Sequence, residues 1–537
     1  MSREHRTHIY TVLVLHKFAR LIRWDHSGAV VTEKFNYKAH PEILGEFFWR
    51  FAHMTDEAQG YDPTAQLVSP GTTLYRLMDQ MAAEKLSQSF DYIRVAFQKS
   101  LDARWLRYKL AVEDKERGTR YFLVGKPQHI SSGLVGHGTR SYVAIDVEKE
   151  EFVHLKDHWR LDYDVMDEEE KQDEKDGHPL RTGGPHLEVH YRLVEKEVGQ
   201  PLSEFETSLE LVKLISDCII AHEDAVKFAR VFHRDVSPGN MIMYPVEETD
   251  HEGVTEHIWT GLLNGWELSE AIAKPGLADA ARRANRIGAW QFRSSAILDD
   301  KRRRPMIEDE LESFFYVLVY YGVRYLKHNS EDVASFMLAF FERCSFSNGE
   351  YSCGLDKRLA IHSGKLKWTD NRKIVFKGEG SRRHPLNHLI ATMLPWFQGR
   401  YHMMEREREL LEESTSGTDT QAETQTNNYA AFVTDKDIDD EDDDSTENEA
   451  GSNGGEIKFV KAASRLNSHR AMRLLLRKAV KTANWPSDDK LGDQLPKEYT
   501  SKRTRRSKDS DATTIAEKRR PKDILADIYT RKRPRHA

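Results

Sequence analysis

Asp235 and Asn240 are the residues whose types and spacing point most directly to chemistry. They lie in Val231–Asn240, which reads Val-Phe-His-Arg-Asp-Val-Ser-Pro-Gly-Asn. Phosphoryl transfer needs one carboxylate to orient the attacking hydroxyl and accept its proton. It needs another ligand nearby to hold a magnesium ion against the phosphates. A short loop can offer both side chains, because Pro238-Gly239 turns the chain back between them. His233 and Arg234 precede the carboxylate, and Ser237 sits inside the loop. Further along, an apolar run ends at Leu263 and is followed by Asn264, Gly265 and Glu267. Glycine has no side chain to offer. Asparagine is a neutral, weaker ligand for a hard cation than a carboxylate. Glu267 carries the right charge but lies two positions further on.

These residues need elements to hold them. Leu211, Leu214, Ile215, Cys218, Ile219 and His222 recur at helical spacing, which predicts a helix over Glu210–Arg230 that runs straight into the loop. Ile242-Met243 reads as a short strand beyond it. Upstream, a strand at Tyr121–Pro127 leads to Gly133-Leu-Val-Gly-His-Gly-Thr139, followed by a strand at Tyr142–Val147. Glycines there let backbone N–H groups approach phosphate oxygens. Gly136 and Gly138 are the candidates, and a plain glycine-rich hairpin is an equal alternative. The strand Phe152–Leu155 ends at Lys156. An amine at that distance from a glycine turn can grip phosphates, or it can simply be a surface strand lysine. Asp162–Asp176 is mostly charged, has no apolar face and reads as solvated. His190–Val194 is a further strand, and Glu195–Gly199 a connector.

The rest of the chain supplies context. Tyr10, Val12 and Val14 alternate, and the apolar runs on either side of Asp25–Gly28 read as a hairpin. Pro41 opens a helix with Leu44, Phe47, Phe48 and Phe51 on one face. Leu74–Lys99 is expected to be helical. Leu311–Leu326 is apolar nearly all round and therefore buried, with Asp309 or Glu310 at its start available to hold the loop's backbone. Arg293 and Lys301–Arg304 are basic and read as solvated surface, with contact to an acidic substrate as the alternative. Further helix is expected at His388–Phe397 and Tyr401–Glu413. Residues 414–456 are acidic and too poor in apolar groups to offset ordering entropy. Met472, Leu475, Leu476 and Val480 mark an amphipathic helix in residues 457–496. Residues 497–537 carry three basic clusters, suited to nuclear import or phosphate-backbone contact.

The 537 residues suffice for two to four domain-sized units. The three cysteines form no CxxC pair, so neither a disulfide framework nor a structural zinc site is expected. No apolar run is long enough to span a bilayer, and the first residues lack an apolar signal core. An intracellular protein, nuclear or cytoplasmic, is the expectation.

The chain resembles the fungal-type protein kinase family. The resemblance rests on Arg20-Leu-Ile-Arg-Trp-Asp-His-Ser-Gly28, Gly60-Tyr-Asp-Pro-Thr64, Leu155-Lys-Asp-His-Trp-Arg160 and His233–Asn240. Gly288-Ala-Trp-Gln-Phe292 and Glu310-Leu-Glu-Ser-Phe-Phe-Tyr316 continue it, with a weaker echo at Asn484–Pro486 and Asp493-Gln494. It implies an α+β, bilobal protein-kinase-like fold with a small, mostly β N-lobe and a larger helical C-lobe. On that frame residues 1–80 are an accessory region, 81–197 an abbreviated N-lobe and 198–413 the C-lobe. Residues 457–496 complete the C-lobe after the acidic insertion, and the basic tail follows. The resemblance also implies ATP and Mg2+ as cofactors, with Asp235 as catalytic base beside Arg234 and Ser237. Lys156, Gly136 and Gly138 would meet the nucleotide, and Asn240 and Glu267 the metal. The sequence departs from the pattern in three places. Ser237 stands where most protein kinases have lysine, Gly265 where the family has its metal-binding aspartate, and Ser295-Ala-Ile297 where Ala-Pro-Glu is usual. The leading expectation is transfer of the ATP γ-phosphate to a Ser, Thr or Tyr hydroxyl of a protein substrate. The alternative is a pseudokinase acting as a scaffold or nucleotide-binding module for protein partners. Nucleic acid enters only through the basic tail, and no membrane partner is expected.

Overall fold

The structure is a computed structural model that describes residues 4–85, 91–114, 116–131, 138–161, 188–249, 255–272, 289–300, 303–347, 350–380, 382–416, 454–496 and 499. It divides into two compact units, Met1–Gln200 and Pro201–Ala537. The first is mostly β and the second mostly helical, giving the expected α+β class.

The first unit begins with β1 (His8–Leu15), β2 (Phe18–Asp25) and β3 (Gly28–Val31) in one antiparallel ladder, and β4 (Phe35–Asn36) also pairs with β2. The Asp25–Gly28 turn forms because Asp25 Oδ1 accepts the Ser27 and Gly28 N–H groups at 3.0 and 3.1 Å. Helix α1 (Pro41–Ala52) divides its apolar face. Phe47 and Phe51 pack edge-on to Tyr10, while Phe48 is left exposed.

The expected helix over Leu74–Lys99 is two helices, α2 (Thr73–Ala83) and α3 (Tyr92–Ser100). They lie in the chain between β5 (Ala65–Leu67) and the other strands of a seven-stranded antiparallel sheet, β6 (Tyr108–Asp114), β7 (Gly118–Val124), β8 (His129–Ile130), β9 (Arg140–Asp146), β10 (Glu151–Leu161) and β11 (Glu188–Glu195). Strand alternation sends β7 and β9 side chains to two different cores. Leu123, Val143 and Ile145 pack with Met78, Ala82 and Phe97 of α2 and α3. Phe122, Val124, Tyr142 and Ala144 join Leu110, Val153 and Leu155 on the other face. Near that second face the buried Arg192 guanidinium reaches Asp62 Oδ2 (2.6 Å), Asp157 Oδ1 (3.3 Å), Thr64 Oγ1 and the Ala111 carbonyl (both 2.7 Å).

In the second unit α4 (Ser208–Asp224) is capped by the Thr207 hydroxyl, which accepts the Glu210 N–H at 3.2 Å. It buries Leu211, Leu214, Ile215, Cys218, Ile219 and His222, the face the periodicity predicts. The last part of the expected helix is instead a π-turn, Ala225–Ala229, closed by Arg230 at φ 57°. The two-residue strand expected at Ile242-Met243 is nine residues long: β13 (Met241–Thr249) pairs with β14 (Thr255–Leu263) throughout. Two short strands, β12 (Val231–Phe232) and β15 (Glu270–Ala271), pair across the candidate loop. Helix α6 (Ile307–Tyr325) is buried along most of its length, as its sequence demands, and α5 (Ser295–Asp299) packs before it. Helices α7 (Leu355–Ser363) and α8 (Pro385–Ser416) follow. After residues 417–453, α9 (Gly454–Ser464) and α10 (Arg470–Thr482) return, and Leu466, Met472, Leu476 and Ala479 complete the core. The expected acidic stretch, the charged run at Asp162–Asp176 and the basic tail lie almost wholly outside the described residues.

Candidate active site

The chain reaches the candidate loop through Arg234, held at φ 68°. A non-glycine residue keeps that left-handed backbone only where its surroundings compel it. Here Glu310, at the start of α6, accepts the Arg234 N–H with both carboxylate oxygens, at 3.1 and 3.2 Å. Of the two acids expected to do this, Glu310 takes the task. Asp309 instead accepts the Met306 N–H, the Ser294 hydroxyl and the Arg400 guanidinium. The Arg234 guanidinium is ion-paired with Glu270 of β15 at 2.8 Å.

His233 is fully buried and links the two halves of the site. Its Nδ1 accepts the Asp235 N–H at 3.2 Å and its Nε2 donates to the Asn264 carbonyl at 2.9 Å. Burial pushes the imidazole pKa down, so it serves here as a neutral donor and acceptor. Trp266 stands edge-on to the ring, 4.5 Å between centroids.

Asp235 and Asn240 are brought together as the loop spacing requires. The Asn240 Nδ2 donates to Asp235 Oδ2 at 2.8 Å and to the Asp235 carbonyl at 2.7 Å. Asp235 Oδ1 accepts the Ala289 N–H at 2.6 Å. Burial raises the carboxyl pKa against the lowering effect of those two donors. A cavity of about 30 Å³ opens beside it, lined by Arg234, Asp235, Ala289, Arg293, Ser294 and Glu310. Arg293 is itself buried enough to be drawn down to about 10, so it is part of the site and not solvated surface. Ser237 is buried, and its carbonyl closes the loop's one-turn helix by accepting the Asn240 N–H at 3.0 Å.

Gly265 is the decisive position. It sits at φ +86°, and a Cβ built on it would lie 2.5 Å from Asn240 Cγ and 2.9 Å from its Nδ2. The Asn240 amide fills the volume that an aspartate at 265 would enter. Simple restoration of the missing carboxylate, attractive from the sequence, is therefore obstructed. Glu267 is the exposed residue of a one-turn helix, Trp266–Leu268, whose other two residues are half-buried. Among the described residues, no group of three or more His, Cys, Asp or Glu side chains is arranged to hold a metal. Magnesium favours a near-octahedral set of oxygens that includes carboxylates. The donors assembled here do not fit it.

The nucleotide-facing candidates belong to the first unit. Gly136 lies outside the described residues. Gly138 is at φ +52°, a backbone that favours glycine, and a Cβ there would fall 2.6 Å from His26 Nδ1. Lys156 does not end its strand. It stands mid-way along β10, opposite Leu193 on one side and Ser141 on the other.

The absent Ala-Pro-Glu ending has a substitute. Glu312, fully buried on α6, accepts the Ser295 N–H at 2.8 Å, the Tyr316 and Tyr401 hydroxyls, and Arg400 at 3.2 Å. Tyr401 in turn accepts the Ala296 N–H at 2.9 Å. Sequence reasoning missed this anchor, because its partners come from α5, α6 and α8. It also missed the link from Glu310 Oε2 to His222 Nε2 (3.1 Å) and on from His222 Nδ1 to His469 Nε2 (2.7 Å). The placement of His222 on the buried face of its helix was the only available signal.

The family model described as fungal protein kinase matches residues 1–176 and 163–321, more than half of the 537. The chain belongs to the fungal protein kinase family. Among solved structures it is similar to the kinase domain of PF14_0431, with 14% identity, 37% of this chain and 63% of that one covered, and a TM-score of 0.23. It is also similar to the ROP18 kinase domain in complex with AMP-PNP and sucrose, with 13% identity, coverage of 59% and 85%, and a TM-score of 0.29. The chain spans less than two thirds of the first of these. Among curated proteins, none matches it. The assignment rests on the family match, and the kinase-like α+β fold on that match and the elements described.

Proposed function

We propose that this chain is a catalytically impaired member of its family, a kinase-fold module that binds protein partners. The observation that carries this reading is Gly265. The position that should hold the cation has no carboxylate, and the Asn240 amide occupies the space where one would go. The loop around Asp235 keeps its geometry, which preserves a shaped surface without a cation site.

A second reading is supported by Asp235 itself. Its carboxylate is half-buried, fixed by Ala289 and Asn240, and its pKa is raised by that desolvation, in the direction a general base needs. In that reading Asp235 orients a protein hydroxyl and takes its proton, the Ala289 N–H and Asn240 fix the carboxylate's direction, and Lys156 holds nucleotide phosphates. ATP and Mg2+ are the co-substrate and cation that the family generally uses. Turnover would be slow, because no carboxylate replaces the one missing at 265.

Two measurements separate the readings. Thermal-shift titration with ATP, with and without Mg2+, reports nucleotide binding, and Lys156→Met should abolish any shift. Radiolabelled phosphate transfer, compared between wild type and Asp235→Asn, reports chemistry. The scaffold reading expects equal, background-level transfer from both; transfer by wild type that Asp235→Asn eliminates would overturn it. The same proposal extends to a nuclear location driven by the basic clusters, checked by imaging a tagged protein with and without residues 501–537.

A further inference from the structure

The strand β1 forms one edge of its sheet. It connects to β2 through a two-residue turn, so Leu15 and Phe18 close the ladder as a hydrogen-bonded pair. Hydrogen-bonded and non-bonded pairs alternate along an antiparallel ladder. The backbone groups of Ile9, Thr11, Leu13 and Leu15 therefore face β2, and those of Tyr10, Val12 and Val14 face outward. Among the described residues, no backbone group bonds to that outward edge from Tyr10 to Val14. Just before the strand, Thr7 N–H donates to the Gly60 carbonyl and Arg6 bridges Tyr61; by the same alternation these bonds lie on the β2 side and not on the outward edge.

Soluble proteins usually blunt such an edge with lysine, proline, a bulge or a covering segment. This strand reads His-Ile-Tyr-Thr-Val-Leu-Val-Leu, with no Lys, Arg, Asp, Glu or Pro. Leu13, Val14 and Leu15 are 43, 51 and 63% exposed, and because neighbours alternate, both faces of the strand end are apolar. Between His8 and Ala52 only Ala19 among the apolar residues is buried. This region is rich in apolar side chains and has almost no core of its own.

We propose that the chain pairs with a second copy of itself through β1, antiparallel, about a two-fold axis at Val12. That register sets Val12 against Val12, Tyr10 against Val14, Thr11 against Leu13 and Ile9 against Leu15. It joins all three outward-facing residues of each copy in hydrogen-bonded pairs. A self-pairing edge must not set like charges against each other, and this one carries none. A charged partner would find no complementary group on it. An isologous contact of this kind closes as a dimer. The inference does not depend on whether the site around Asp235 moves phosphate.

The test uses the full chain. Sedimentation velocity over a dilution series should show a monomer–dimer equilibrium. Val12→Lys sets two ammonium groups face to face at the axis and should give monomer throughout, while Ile258→Lys in the second unit should leave the dimer intact. Val12→Cys should cross-link into a covalent dimer under mild oxidation, since opposed residues of a hydrogen-bonded pair lie about 5.5 Å apart at Cα, within disulfide reach. If Val12→Lys melts early by circular dichroism, Leu15→Lys and the Val12→Cys cross-link decide. Wild type that remains monomeric at every concentration overturns the proposal. So does a dimer that survives both lysine variants and fails to cross-link at Val12.

Discussion

Replacing Gly265 with aspartate is the substitution the sequence invites, and the structure says that it will fail. Two costs can be worked out. The backbone at 265 is left-handed, which costs a residue with a Cβ about 1–2 kcal/mol. The new side chain must also displace the Asn240 amide, losing its hydrogen bonds to the Asp235 carbonyl and carboxylate, each worth about 0.5–1.5 kcal/mol. The sum is about 3 kcal/mol, or a melting temperature lower by roughly 6–12 °C for a domain of this size. The aspartate also arrives beside a half-buried Asp235 whose charged form is already disfavoured. Calorimetry on Gly265→Asp and Gly265→Ala should show both destabilised, the aspartate more so. Phosphate-transfer assays should show no gain for either. Gly265→Asp combined with Asn240→Gly removes the overlap and should recover part of the stability. A Gly265→Asp protein that melts with wild type and gains ATP-dependent transfer would refute the reasoning.

Other substitutions probe the supports. Glu310→Ala leaves the Arg234 N–H and His222 without their acceptor in the core, and should cost about 3 kcal/mol in denaturant titration, with Glu310→Gln costing less; an unchanged midpoint would count against Glu310 as the loop's holder. Arg192→Met strands the buried Asp62 and Asp157 carboxylates, for a loss of about 3–5 kcal/mol measured the same way. Lys357 is buried among Tyr316, Phe341 and the Gln291 carbonyl, and burial draws its ammonium down to about 8 from the ordinary 10.5. The neutral form is favoured in the folded state, so stability should rise as pH climbs from about 8 toward 10.5, by up to about 3 kcal/mol. Below that window the full cost of the buried charge remains. Lys357→Met should remove this pH slope relative to wild type, and parallel slopes in the two proteins would exclude the assignment.

Local signals were legible in the sequence. The helix at Ser208–Asp224 was readable because its apolar spacing and threonine cap are encoded within a few turns. The Asp235–Asn240 pairing was readable because Pro238-Gly239 fixes a turn over five residues. The buried character of Ile307–Tyr325 followed from its composition alone. Other readings failed where local signal was ambiguous. Ile242-Met243 looked like two residues of strand because the polar Glu247, Glu248 and Thr249 hide a ladder that needs β14 to be seen. Phe152–Leu155 reads as stopping at Lys156 because the polar and charged residues beyond it follow no alternation, yet β9 and β11 carry the strand past it. Arg293 read as surface because burial is not written in a residue's type.

What the sequence by itself determined is the family, the two chemical side chains at Asp235 and Asn240, and the absence of a carboxylate at Gly265. Those depend on residue identity and short spacing. Only the tertiary structure decided that Glu310 and not Asp309 holds Arg234, that Glu312 anchors the segment lacking Ala-Pro-Glu, and that Asn240 fills the space beside Gly265. Each of these is a contact between residues tens of positions apart. Which of two adjacent acids faces a given N–H, or whether a glycine's missing side chain leaves a void or a filled site, depends on how the elements pack, and no local pattern carries that information.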